Sequence, residues 1–292
     1  MRAVVVVALL SPVCVAERGN DGRADDTVDD GDDSRAIWTS LAPLPTPRQE
    51  HAVVAYGGDV VVIGGFDDDT TVDSVEAYDV VADARTLIFD GDTWREGTAM
   101  PAADARGASA VCALDGAVYV FGGSAVGSVA TASRYIVGED RWAPLPPLPR
   151  ALDHVLCVAA ADIDGDTLWI VSGRENGLAN HTGTLLRFDP TTQTYAERAP
   201  LPTSRAGAAA AVVDGTIVVV GGEGAATDTG VFAAVERYVV DEDRWETLPA
   251  MRTPRHGFGA AAIDNTLYVP GGATVRGFGA VAVNERLLLL EP

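Results

Sequence analysis

Short apolar runs rich in valine, alanine and isoleucine punctuate this chain. Five of them end in a glycine pair or its near equivalent: Gly64-Gly65, Gly122-Gly123, Ser172-Gly173, Gly221-Gly222 and Gly271-Gly272. Successive pairs stand 58, 50, 49 and 50 residues apart. Upstream of each pair, two apolar runs flank a turn: Gly57-Gly58-Asp59, Asp115-Gly116, Asp164-Gly165, Asp214-Gly215 or Asp264-Asn265. Such turns supply the positive φ of tight hairpins, so each unit begins with antiparallel strands a and b. Downstream, a polar loop leads to a third run, strand c, around Tyr78, Tyr135, Phe188, Tyr238 or Leu287 to Leu290. Strand d follows with Trp94, Trp142, Tyr195 or Trp245, and Trp38 stands alone ahead of the series. In the first unit, Ala82 to Asp92 reads as an insertion between Tyr78 and Trp94.

A repeat of about 50 residues holding four short strands predicts one propeller blade per unit, since a small sheet cannot bury both faces without neighbours. The expected fold is all-β, with five four-stranded blades. The ends complete one another: the ordered part opens on a d-type strand at Ile37-Trp38-Thr39 and closes on a c-type strand at Leu287 to Leu290. Pairing them makes the last blade from both termini and removes an open sheet edge.

An arginine recurs sixteen residues before four of the glycine pairs, as Arg48, Arg106, Arg205 and Arg255, with Arg150 taken as the fifth, set back by extra residues. The d-to-a and b-to-c connections of such blades emerge on one face. The arginines, together with Arg174 and Glu223 just past their glycine pairs, therefore gather around one mouth of the central channel. Two roles stand open for the arginines: a cationic rim that binds carboxylates, or braces that bridge neighbouring blades by bonding loop carbonyls. A cationic rim in an acidic chain would favour an anionic occupant.

Segments such as Trp38-Thr39-Ser40-Leu41-Ala42-Pro43-Leu44-Pro45-Thr46-Pro47-Arg48 and Pro254-Arg255-His256-Gly257 resemble bacterial secreted kelch-repeat proteins of the galactose oxidase-like kind, a likeness covering residues 37 to 292. The resemblance implies an exported, monomeric, non-catalytic module that recognises a protein, peptide or anionic glycan at the loop face. The alternative it implies is an extracytoplasmic carbohydrate-active enzyme, either a mutarotase-like epimerase or a degenerate oxidase. The copper-oxidase pattern is not met. His51 and His154 hold equivalent repeat positions, His181 and His256 do not cluster with them, and no cofactor or metal is expected.

Composition narrows the classes. The chain of 292 residues carries a formal charge of −21, and every cation is arginine. Such a surface repels nucleic acid, and without lysine neither Schiff-base chemistry nor a Walker-type phosphate loop is available. Residues 1 to 16 read as an export signal, with Arg2, an apolar core from Ala3 to Leu10, and Ala16 at a cleavage site. A rival reading makes Cys14 a lipidated N-terminus and a membrane tether. Residues 17 to 36 read as an acidic spacer that cannot fold alone. Cys112 and Cys157, each counted three residues past Ser109 and His154, are taken as equivalent positions of neighbouring blades. Equivalent side chains point the same way round the ring, so no disulfide is expected between them. Asp162-Ile163-Asp164-Gly165-Asp166 has the alternating acids of a calcium loop but not its later glycine and glutamate, and reads as turn chemistry.

Overall fold

A computed structural model describes residues 5–8, 36–44, 47, 49, 52–56, 59–63, 86–89, 94–177, 179–225 and 227–290. Arg48, His51, Cys14, Tyr78 and residues 9 to 35 fall outside them. The strands in chain order are β1 (Val5–Ala8), β2 (Ala36–Ser40), β3 (Ala52–Tyr56), β4 (Asp59–Ile63), β5 (Thr86–Phe89) and β6 (Trp94–Gly97). Next come β7 (Ala110–Leu114), β8 (Ala117–Phe121), β9 (Ala132–Ile136), β10 (Arg141–Leu145), β11 (Leu156–Asp162), β12 (Gly165–Val171), β13 (Leu185–Asp189) and β14 (Thr194–Glu197). The last are β15 (Ala209–Val213), β16 (Thr216–Val220), β17 (Val235–Val239), β18 (Arg244–Leu248), β19 (Ala261–Ile263), β20 (Thr266–Pro270) and β21 (Asn284–Leu289).

Four antiparallel sheets of four strands result: β7 to β10, β11 to β14, β15 to β18, and β19-β20-β21-β2. The chain is an all-β propeller of four-stranded blades. The last blade closes as the sequence predicts, with Trp38 opposite Leu287. In the first unit β3 pairs with β4 and β5 with β6, in separate sheets. The strand beside Trp94 is thus β5, with Phe89 opposite Trp94, inside the stretch expected to be an insertion. β1, within the expected export signal, pairs in parallel with β5.

The glycine pairs follow from inter-blade approach. Gly122 and Gly221 have φ of 59° and 62°, and a Cβ on either would come within 2.5 Å of a carbonyl in the next blade. Those carbonyls, Leu152 O and Arg255 O, accept from Gly123 N and Gly222 N at 2.7 and 2.8 Å. The third blade has Ser172 at this position, with φ of 60°, and there the approach is looser, with Gly173 N donating to Arg205 O at 3.1 Å.

Apolar layers lie between blades. Tyr119, Phe121, Ile170 and Phe188 pack between the second and third, and Trp169, Val219 and Tyr238 between the third and fourth. Four of the strand-d aromatics donate back to the preceding blade: Trp142 to Thr98 O, Tyr195 to Pro146 O, Trp245 to Ala199 O and Trp38 to Pro249 O, all within 3.0 Å.

Cys112 and Cys157 form a disulfide, contrary to expectation, with Cα atoms 5.5 Å apart. They are not equivalent positions. Cys112 pairs with Tyr119, three residues before Gly122, whereas Cys157 pairs with Ile170, two before Ser172. An offset of one residue flips a side chain to the other face of its strand, so each cysteine faces the other's blade.

Candidate functional site

The loop face is organised by the residue that follows each d-to-a bridge. Ala108, His154, Gly207 and Gly257 all have φ between 50° and 63°. His154 N donates to Ala108 O, Gly207 N to His154 O and Gly257 N to Gly207 O, linking successive blades in a backbone collar. Next to the collar, d-to-a residues bridge b-to-c residues: Gly107 with Ser124, Asp153 with Arg174, Ala206 with Glu223, and His256 with Ala273.

This frame decides what the arginines do. Arg205 and Arg255 are fully buried and Arg106 nearly so. Arg205 donates to Glu236 and to Val219 O, Arg255 to Glu285 and to the carbonyls of Val269 and Gly271, and Arg106 to the carbonyls of Gly122 and Val120 and to Ser133. These three are braces within their own blades, so they do not form a rim. Burial lowers the pKa of each below the ordinary arginine value, and the partner carboxylates of Arg205 and Arg255 work against that. Arg150 is not the fifth of the series. The carbonyls bonded by Gly123, Gly173 and Gly222 belong to Leu152, Arg205 and Arg255, so Leu152 holds the arginine position of the third blade. Arg150 lies outside it, exposed and paired with Glu175.

Arg174 and Glu223 do come together. Arg174 donates from Nη1 to Glu223 at 2.6 Å and from Nε to Asp153 at 2.8 Å, and its Nη2 lies 3.3 Å from His154 Nε2. Asp153 also holds His154 Nδ1 at 2.7 Å and accepts from the Ser128 hydroxyl. Burial alone would raise the Asp153 pKa, but hydrogen bonds from His154, Ser128 and Arg174 outweigh it and hold the group at about 2. His181 is bridged to Arg174; its Nε2 is buried without a protein partner, and burial lowers its pKa. Ser128 and Asn176 exchange two further bonds between loops of neighbouring blades.

Around this charged centre the b-to-c loops present apolar side chains: Val126 fully exposed, Phe278 at 70% and Val275 at 43%. The channel below encloses about 370 Å³ and is lined by valine and alanine, among them Val53, Val111, Ala210 and Ala260, with the disulfide. Among the described residues the lining carries no charged side chain. Sequence reasoning missed Ser128, Asp153, His154 and the exposed apolar loop residues. One signal was present: in the third unit an Asp-His pair stands where the second, fourth and fifth read Gly107-Ala108, Ala206-Gly207 and His256-Gly257, and the first Gln49-Glu50.

Among the described residues no group of three histidines, cysteines or acids is placed to hold a metal ion. At the calcium-like segment, Arg187 donates to both Asp162 and Asp164, so a guanidinium fills the place a cation would take.

The sequence model of the Attractin/LZTR1 beta-propeller family matches residues 32–279. The chain is 32% identical over 251 residues to Kelch-like protein terF of Aspergillus terreus, covering 82% of this chain and 53% of that protein. It is 30% identical over 243 residues to human Kelch-like protein 34, covering 80% of this chain and 36% of that one. It thus spans about half or less of the length of these curated relatives. A solved structure, "Structure of YjhT", superposes with a TM-score of 0.56 at 18% identity, covering 81% of this chain and 76% of that chain, a likeness of fold alone.

Proposed function

Because the chain belongs to the kelch-repeat β-propeller family, through its match to the Attractin/LZTR1 propeller, we propose that it is a non-catalytic module that recognises a protein or peptide partner at its loop face. The observation that carries this reading is that exposed Val126, Val275 and Phe278 lie on loops of the same face as the Asp153–Arg174–Glu223 network. Exposed apolar groups beside charged ones are the composition of a docking surface. Of the described arginines first considered, Arg174 and Arg150 remain candidates for contact, with Glu223; Arg48 lies outside the described residues. A Val126→Asp/Phe278→Asp variant tests this. Cross-linked partners recovered by the wild type from its native host should be lost by the variant, and equal recovery by both would overturn the reading.

We further propose that the protein works outside the cytoplasm. The apolar start of the chain fits an export signal, and the Cys112–Cys157 disulfide suits an oxidising compartment. Intact Met1 to Ala16 on protein from the native host would refute export.

A carbohydrate-active enzyme is the second reading. One observation favours it: Asp153 orients His154 as it would a general base, beside Arg174 and Glu223. Mutarotation or sugar oxidation that is lost in His154→Gln would establish it.

A further inference from the structure

The face opposite the loops carries a feature the other blades lack. The a–b hairpin of the third blade has strands of seven residues, β11 and β12, where β7, β8, β15 and β16 have five. At about 3.3 Å per residue, the tip stands roughly 7 Å proud of its neighbours. Arg187 pins that tip by donating to Asp162 and Asp164. At the tip Ile163 is 88% exposed. Between this hairpin and the fourth blade lies a cavity of about 680 Å³, bounded by Ile163, Asp214, Gly215, Val239, Val240 and Asp241.

We propose that this cavity is a second docking site, taking a basic, apolar-anchored segment of a protein partner. A large side chain held rigidly in water at a hairpin tip is an anchor without a pocket, and the valine floor offers the complementary surface to an incoming apolar side chain. Charge selects the rest of the segment. Five carboxylates (Asp162, Asp164, Asp166, Asp214 and Asp241) stand at or beside the cavity against two guanidiniums, Arg187 and Arg198. Arg187 is engaged by Asp162 and Asp164, while Asp164 stays 72% exposed in its side chain, so the rim is net acidic. Lysine or arginine flanking an apolar residue satisfies both features. This site is independent of the loop face and stands or falls separately from it.

The probes are two fluorescent peptides, Leu-Lys-Leu-Lys-Arg and its acidic counterpart Leu-Glu-Leu-Glu-Glu, titrated by anisotropy against the whole protein. The basic peptide should bind and the acidic one should not, with affinity falling as salt is added. Ile163→Ser and Asp214→Asn/Asp241→Asn should each weaken binding by about tenfold, and Val126→Asp/Phe278→Asp should leave it unchanged. Both cavity variants alter exposed groups, so their melting temperatures should match the wild type. Hydrogen exchange should slow at residues 161–166, 214–216 and 239–241 when the basic peptide is bound. Absence of binding at about 1 mM peptide, or binding that survives both cavity variants as mere attraction to an acidic chain, would overturn the proposal.

Discussion

Arg205 and Glu236 form an ion pair with almost no exposure, and the repeat itself shows what the pair is for. At the two equivalent positions the fifth blade has Arg255 and Glu285, the second Arg106 and Ser133, and the third Leu152 and Leu186. Where the arginine is absent its partner is apolar too, as expected if the pair fills and satisfies the blade's own interior. Removing one member strands a buried charge, whereas replacing both with apolar side chains does not. Glu236→Leu should therefore cost about 3–5 kcal/mol, and Arg205→Leu/Glu236→Leu, the third blade's arrangement, should recover most of it in urea unfolding. Asp153 makes a pH statement at the same scale. Its folded pKa of about 2 lies below its ordinary 3.8, so its contribution is complete above the ordinary value and is lost as pH falls toward the folded one. The stability advantage of wild type over Asp153→Asn should hold at neutral pH and shrink between about pH 4 and pH 2.

At the scale of the element, the disulfide joins two inner strands, β7 and β11, that no hydrogen-bond ladder connects. It closes a span of 45 residues, for which chain entropy gives about 4 kcal/mol. Cys112→Ser/Cys157→Ser should lose a stabilisation of that order, read from denaturant midpoints, and dithiothreitol should lower the wild type to the same midpoint. A reducing agent without effect would mean the blades are held by their apolar layer alone. The cysteine register also marks where the sequence stops being legible. Glycine pairs, hairpin turns and strand-d aromatics locate every strand of the last four blades, because each is fixed by local chemistry: a positive φ, a close approach, an indole reaching a carbonyl. Which face a side chain takes depends on a count of one, and counting His154 with Ser109 rather than Ala108 reversed it. Following residue type rather than position set Arg150 in the place of Leu152. A bracing role for the arginines was legible as one of two, but between blades and not within one, since spacing gives a residue its blade but not its depth.

For the whole molecule, ring closure carries the most consequence. β2 supplies the outer strand of the last blade, pairing with β21 from Ala36 to Ser40, and Trp38 is buried in the layer that contains Val218, Leu248 and Leu287. The Trp38 indole also donates to Pro249 O of the fourth blade at 2.8 Å, so one short strand ties together the terminal blade and its predecessor. Without it, β21 becomes an exposed edge with unpaired backbone groups, and the apolar layer beneath opens to water. Truncation should therefore act as a step. Deleting residues 1–35 removes the β1–β5 pairing but keeps β2 and should leave a monodisperse elution, whereas deleting residues 1–44 should lower the melting temperature further and produce oligomers that grow with concentration. Trp38→Ala in the full chain isolates the buried contact and should cost about 3–5 kcal/mol. If the longer truncation elutes and melts like the shorter, the ring is held by its inner strands and β2 is an accessory.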